Sequence, residues 1–328
     1  MHRWISSLAV AVVLAISGLG LSGPLAAQDA FPSGPLTMIV AGPEGEDLHA
    51  IHRKLAELAE PILGVKIEIR NVPGGGGTEG VSALVGAKAD GLTIAAVRSA
   101  SITVAPHTGS VTYGIEDITP IIQTTGGAPL VVCAPPRFPA GDAEDFVELV
   151  EENPGKYTYG TDGVGGIAQI LVEHIFRPLK LDLRPVHFEG PDEAMKAFIG
   201  HEVDIFIGRI STLLVGQTKE GYAKCLLVTS VEPSRSLEDV DALDEIDAEN
   251  RAMEVWRGLI APKGTPPERV KILAEAFHKA ASVDEFKYYV LRRHDFVRVG
   301  TSEAFADLIE SESKAFADVV KNIEPAKK

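Results

Sequence analysis

Two arginines stand at the ends of apolar, strand-like runs. Arg98 follows Leu92-Thr93-Ile94-Ala95-Ala96-Val97, and Arg209 follows Val203-Asp204-Ile205-Phe206-Ile207-Gly208. A guanidinium offers a rigid fork of donors that fits a carboxylate through two parallel hydrogen bonds. A third strand-like run, Leu36-Thr37-Met38-Ile39-Val40, leads into Ala41-Gly42-Pro43-Glu44-Gly45-Glu46-Asp47-Leu48-His49, with acids at three of four successive positions. The arginines therefore have two readings: a grip on an anionic ligand, a diacid included, or pairing with Glu44, Glu46 or Asp47 across a cleft. By itself the acidic stretch would repel a carboxylate and favour an amine or a metal ion. Glu46, His49 and His52 are spaced at i, i+3 and share one helix face, which suits a divalent cation or an exposed polar surface.

Other chemistry is sparse. The chain has no Gly-x-Ser-x-Gly elbow, no His-Glu-x-x-His and no Walker sequence. Gly163-Val164-Gly165-Gly166 has the wrong spacing for a dinucleotide fingerprint. No catalysis, cofactor or resident metal is expected. Lys287, Arg292 and Arg293 form a small basic cluster, either solvated or a partner contact. Phe176, His187 and Phe188 read as core or cleft wall, and Ser211-Thr212 as a helix cap or ligand donors.

The chain begins Met1-His2-Arg3-Trp4 and continues through an apolar run to small residues before Gln28, the pattern of a secretory leader spanning residues 1–27. A membrane anchor is the alternative, weakened by Ser17, Gly18, Gly20, Ser22 and Gly23. Arg3 is the leader's one charged side chain, so its removal takes the net charge from −15 to −16. That charge opposes nucleic-acid binding, which needs a basic face. Cys133 and Cys225, the only cysteines, lie in apolar runs; export permits a disulfide, and two separately buried thiols fit equally.

At 328 residues and 45% hydrophobic, the chain can bury a large core and suits two domains. Strand-like runs alternate with helical stretches, which implies parallel sheets covered by helices. The alternation predicts helices over about 47–63, from Asp145, over 167–176, from Asp192, and after Pro266-Pro267 and Thr301-Ser302. Trp256-Arg257-Gly258-Leu259-Ile260-Ala261-Pro262 returns the chain to the first domain. The loop Asn71-Val72-Pro73-Gly74-Gly75-Gly76-Gly77-Thr78-Glu79-Gly80 permits unusual backbone angles and close approach of main chain.

That loop, in this order with Asp90-Gly91-Leu92-Thr93, Asn153-Pro154-Gly155-Lys156, Gly200-His201-Glu202-Val203-Asp204 and Ala261-Pro262-Lys263-Gly264-Thr265-Pro266-Pro267, resembles the tripartite tricarboxylate transporter substrate-binding proteins, also called Bug receptors. The resemblance runs from Phe31 to Val320. It implies an α/β, periplasmic-binding-protein-like fold of two doubly wound lobes joined by a hinge, with residues 28–127 and 258–328 as the first lobe and 128–257 as the second. It also implies a periplasmic monomer that closes over a small carboxylate and hands it to membrane transporter subunits; a sensor partner is the alternative. In that family two βα loops hold a ligand carboxylate, largely through backbone N–H groups. Their counterparts here are Gly42, Pro43, Glu44, Gly45, Glu46 and His49, and Thr161, Gly163, Gly165, Gly166 and Gln169. Glu46 replaces one of a glycine pair, His49 an aspartate, Gly166 a serine and Gln169 a histidine. Arg98-Ser99 and Arg209 also depart from the family pattern, at strand ends where such folds place ligands. Arg98 and Arg209, with Ser99 beside the first, either take over part of the carboxylate grip or pair with Glu44, Glu46 or Asp47, and the two readings stand equal.

Overall fold

The computed structural model describes residues 31–321 and 323, apart from 164, 232, 235 and 238; the expected leader lies outside these. The chain opens with β1 (Leu36–Val40), α1 (Asp47–Leu63), β2 (Ile67–Asn71), α2 (Thr78–Val85), β3 (Thr93–Arg98) and α3 (Ser99–Thr103). Helix α1 turns Leu48, Ile51, Leu55 and Ala59 to the core, at the three- and four-residue spacing a helix requires. It ends at Gly64, whose φ of 73° lets its N–H reach the Glu60 carbonyl. Strand β1 pairs in parallel with β2 and with β3.

The long β4 (Ile118–Ala134) then crosses into the second half: α4 (Ala143–Glu152), β5 (Thr158–Thr161), α5 (Ile167–Leu171), β6 (Arg184–His187), α6 (Pro191–Ile199), β7 (Ile205–Arg209), α7 (Thr212–Lys219) and β8 (Lys224–Val228). β9 (Glu254–Pro262) crosses back, and α8 (Pro267–Ser282), α9 (Asp284–Leu291) and α10 (Ser302–Val320) complete the chain. The strand orders are β2-β1-β3-β9-β4 and β6-β5-β7-β4-β8. Each half thus sets an antiparallel crossing strand beside three parallel ones, so the sheets are mixed rather than wholly parallel. The halves share this order although the sequence has no visible repeat.

The crossing strands pair with each other along most of their length, with register shifts between Pro120 and Ile122, Gln123 and Thr125, and Thr125 and Ala128. Irregularities of this kind bend strands, and they lie where the chain passes between lobes. Separate apolar cores fill the two halves, and α10 joins both: Phe305 and Ile309 pack in the first, Phe316 and Val320 in the second. Phe176 is core, whereas His187 is exposed.

Two features differ from the sequence reading: α9 is an additional helix, and the helix expected over 167–176 finishes in a π-type turn at Val172–Phe176. Cys133 and Cys225 are joined in a disulfide, because the register of β4 against β8 makes them direct neighbours. No described helix is long and apolar enough to cross a membrane.

Candidate functional site

The loops leaving β1, β3, β5 and β7 gather at the C-terminal ends of the parallel strands. The first, Ala41–Glu46, is held from below by the glycine-rich turn. A Cβ on Gly80 would stand 2.6 Å from the Ala41 Cα, so only glycine lets α2 pack so close. The loop is also braced from the side: the His49 Nδ1 lies 2.9 Å from Asn71 Oδ1, and the Asn71 amide donates to the Gly42 carbonyl at 2.8 Å. An amide oxygen only accepts, so Nδ1 of His49 holds its proton there. Pro43, Glu44 and Gly45 form the exposed tip, with Gly45 at φ 90°.

Glu46 and Asp47 turn inward toward arginines. Arg98 is the N-cap residue of α3, and its guanidinium lies across Gly42, where a Cβ would sit 3.5 Å from both terminal nitrogens. There it makes an ion pair with Glu46. Ser99 is buried beside it as the first residue of α3. Arg209, at the end of β7 in the other lobe, faces Asp47 at 3.6 Å and Asp295 at 3.6 Å. Asp47 also meets Arg293 at 3.8 Å, and Asp295 pairs with the wholly buried Arg257 of β9. Two guanidiniums thus share the Asp295 Oδ2, and three alternate with two carboxylates along the line Arg257, Asp295, Arg209, Asp47, Arg293. Burial lowers the Arg209 pKa to about 10, opposed by Asp47 and reinforced by Arg98. The Arg257 Nε and Nη2 have no hydrogen-bond partner among the described residues.

The second loop is closed by its own groups. Thr161 donates to the Gly163 carbonyl at 2.9 Å, and the Gln169 Oε1 accepts from the Gly165 N–H at 2.8 Å. Both side chains are buried. The Asp162 carboxyl lies inside this loop, and a Cβ on Gly166 would meet its Oδ1 at 2.2 Å. Gly166 therefore stands where the related loop has serine because a neighbouring carboxylate takes the room. Burial raises the Asp162 pKa, against the N–H groups of Asp162, Ala168 and Ile167 and the positive field of Arg98. Ser211 caps α7 by accepting from the Leu214 N–H at 3.2 Å.

The structure thus brings Glu46, Arg98 and Arg209 into one ionic cluster with Asp47, and gives His49, Thr161 and Gln169 hydrogen bonds that shape the two loops. Asp162, Arg257, Arg293 and Asp295 belong to the same cluster and were missed as site residues in the sequence. Asp162 and Arg257 are separated from their partners by long stretches of chain, and Asp295 follows no motif; the one signal that could have found Arg257 is the rarity of a charge within the apolar run Trp256–Ala261. No group of three or more histidine, cysteine or acidic side chains suited to a metal ion occurs among the described residues. His52, spaced for such a group, is buried and bonded to Leu48 and Thr124.

The profile of the tripartite tricarboxylate transporter family receptor matches residues 51–324. A UPF0065 protein of Bordetella pertussis is 29% identical over 276 residues, 83% of this chain and 84% of that one. BugT, of the same organism, is 25% identical over 281 residues, 83% and 84% of the two chains. Among solved structures, a periplasmic transporter superposes with a TM-score of 0.78 at 26% identity over 90% of this chain and 99% of its own. MatC of Rhodopseudomonas palustris, solved with bound malate, gives 0.76 at 25% identity over 88% and 100%. The matched span begins within α1 and takes in the crossing strands and the loops that leave β3, β5 and β7, and the chain belongs to the tripartite tricarboxylate transporter receptor family.

Proposed function

We propose that this protein is an exported receptor that captures a small organic acid between its lobes and presents it to a tripartite tricarboxylate-type membrane transporter. The observation that carries this reading is the approach of Arg98 and Arg209 from opposite lobes to the first loop, at the strand ends where open α/β sheets hold ligands. A ligand that touches both lobes favours the closed form by its differential affinity. The malate bound to MatC supports a carboxylate as the ligand class. A cationic ligand is disfavoured because Glu46 and Asp47 already face arginines, leaving Glu44 at the exposed tip.

The test is titration calorimetry of the chain from Gln28 against mono- and dicarboxylates, amines and divalent metals. At least one carboxylate is expected to bind. Arg209→Ala removes a charged hydrogen-bond donor, typically about 1.5–3 kcal/mol, and should weaken binding by roughly tenfold or more. Binding of amines or metals alone would overturn the carboxylate reading, and unchanged affinity in Arg209→Ala would remove Arg209 from it.

A further inference from the structure

We propose that Glu46 determines specificity in this cleft: it fills the carboxylate seat on Arg98, leaves Arg209 to receive one ligand carboxylate, and selects acids with a single negative charge over diacids. The inference rests on the carboxylate reading above and narrows it.

The two arginines are unequally satisfied. Arg98 lies flat over Gly42, which has no side chain to hold it off, and meets Glu46 directly. Both side chains are about one-fifth exposed, at 21% and 23%. Asp162 adds a carboxyl within electrostatic reach of Arg98 from the facing loop. A carboxylate tethered four residues from Gly42 on the same loop competes at high effective concentration, of the order of millimolar or above. A ligand carboxylate at Arg98 must displace Glu46, and the displaced anion stays in the cleft beside it.

Arg209 differs. Its ion pairs to Asp47 and Asp295 are long, 3.6 Å each, and each acid is shared with another guanidinium, Arg293 or Arg257. That line of three cations and two anions is one negative charge short of balance. A monocarboxylate at Arg209 supplies that charge. The second carboxylate of a diacid would exceed it and would meet Glu46, where like charges close together raise the free energy.

The test pairs each diacid with its monoamide, so that length is kept and one charge is removed: succinate with succinamate, and adipate with adipamate. Affinities are measured by calorimetry on the chain from Gln28 for the native protein, Glu46→Gln and Glu46→Asp, with melting temperature as the folding control. The native receptor should bind at least one monoamide about tenfold more tightly than its diacid. Glu46→Gln should move that ratio toward the diacid by tenfold or more, and Glu46→Asp, which keeps the charge, should retain the native preference. A native preference for the diacid, or an equal ratio in native and Glu46→Gln, would overturn the assignment of Glu46 while leaving the carboxylate reading standing. If none of the four acids binds, the assignment of Glu46 fails, while the carboxylate reading is decided by the wider panel above.

Discussion

His52 lies on the buried side of α1, with Nδ1 2.8 Å from the Leu48 carbonyl and Nε2 3.0 Å from Thr124 Oγ1. A carbonyl only accepts, so the neutral ring holds its proton on Nδ1; the Thr124 hydroxyl beside Nε2 also lies 3.1 Å from the Arg257 carbonyl, to which it donates. Burial lowers its pKa from 6.5 to about 4; the Leu48 hydrogen bond opposes that shift and the nearby Arg98 adds to it. In the unfolded chain the ring titrates near its ordinary value. Between about 6.5 and 4 the unfolded chain therefore binds a proton that the native one does not, so this term destabilises progressively as pH falls through that window and is absent above it. The full effect is about 3 kcal/mol. Urea midpoints of native and His52→Gln protein, followed from pH 7 to 4, should diverge in slope, with the variant the flatter. Parallel curves would mean that His52 does not titrate with folding.

The elements were legible where the code is local. The spacing of Leu48, Ile51, Leu55 and Ala59 with Gly64 as a stop marks α1 as Asp47–Leu63, and Thr301 caps α10 by accepting from the Ala304 N–H at 3.2 Å. Helix α9 was not legible, because Val283 alone separates it from α8 and no glycine or proline marks the break. Neither was the antiparallel placing of β9 between β3 and β4, since strand order is decided by long-range pairing that no single segment encodes. The same holds for the site: the types of Glu46 and Arg98 were visible, but their pairing over 52 residues depends on how β1 and β3 align. The disulfide is a further case, created by the register of β4 against β8 over a separation of 92 residues. Cross-linking so long a loop constrains the unfolded chain, and a typical gain is about 2–4 kcal/mol. Cys133→Ala/Cys225→Ala protein should therefore unfold at a lower urea concentration than the oxidised native chain and be insensitive to reductant. Equal midpoints for the oxidised native chain and the double variant would show that the bridge adds no stability.

Several ties join the two halves of the molecule. Arg209, at the end of β7, faces Asp47 and Asp295 of the first half, and the Ser236 Oγ lies 2.9 Å from Nδ1 of His294. Beside the crossing, but within the first half, the Gly126 N–H donates to the Phe296 carbonyl and Thr125 bridges Val297, which holds the segment carrying His294 and Asp295 in place. Contacts that exist only when the lobes meet favour closure before any ligand arrives, which leaves a ligand less conformational change to drive. The Asp295 side chain is wholly buried, whereas that of Asp47 is 38% exposed, so the Asp47 tie is the one that water and salt can reach. Asp47→Asn should then populate a more open form without ligand. Small-angle X-ray scattering should give the variant a larger radius of gyration without ligand than the native chain, for which a compact fold of this length implies about 20 Å. Ligand should contract the variant more than the native protein. Salt near 1 M, where screening reaches within about 3 Å, should expand the native protein toward the variant and leave the variant little changed. Identical radii for the two proteins without ligand would place the closing force elsewhere, in the buried Arg209–Asp295 pair and the Ser236–His294 contact.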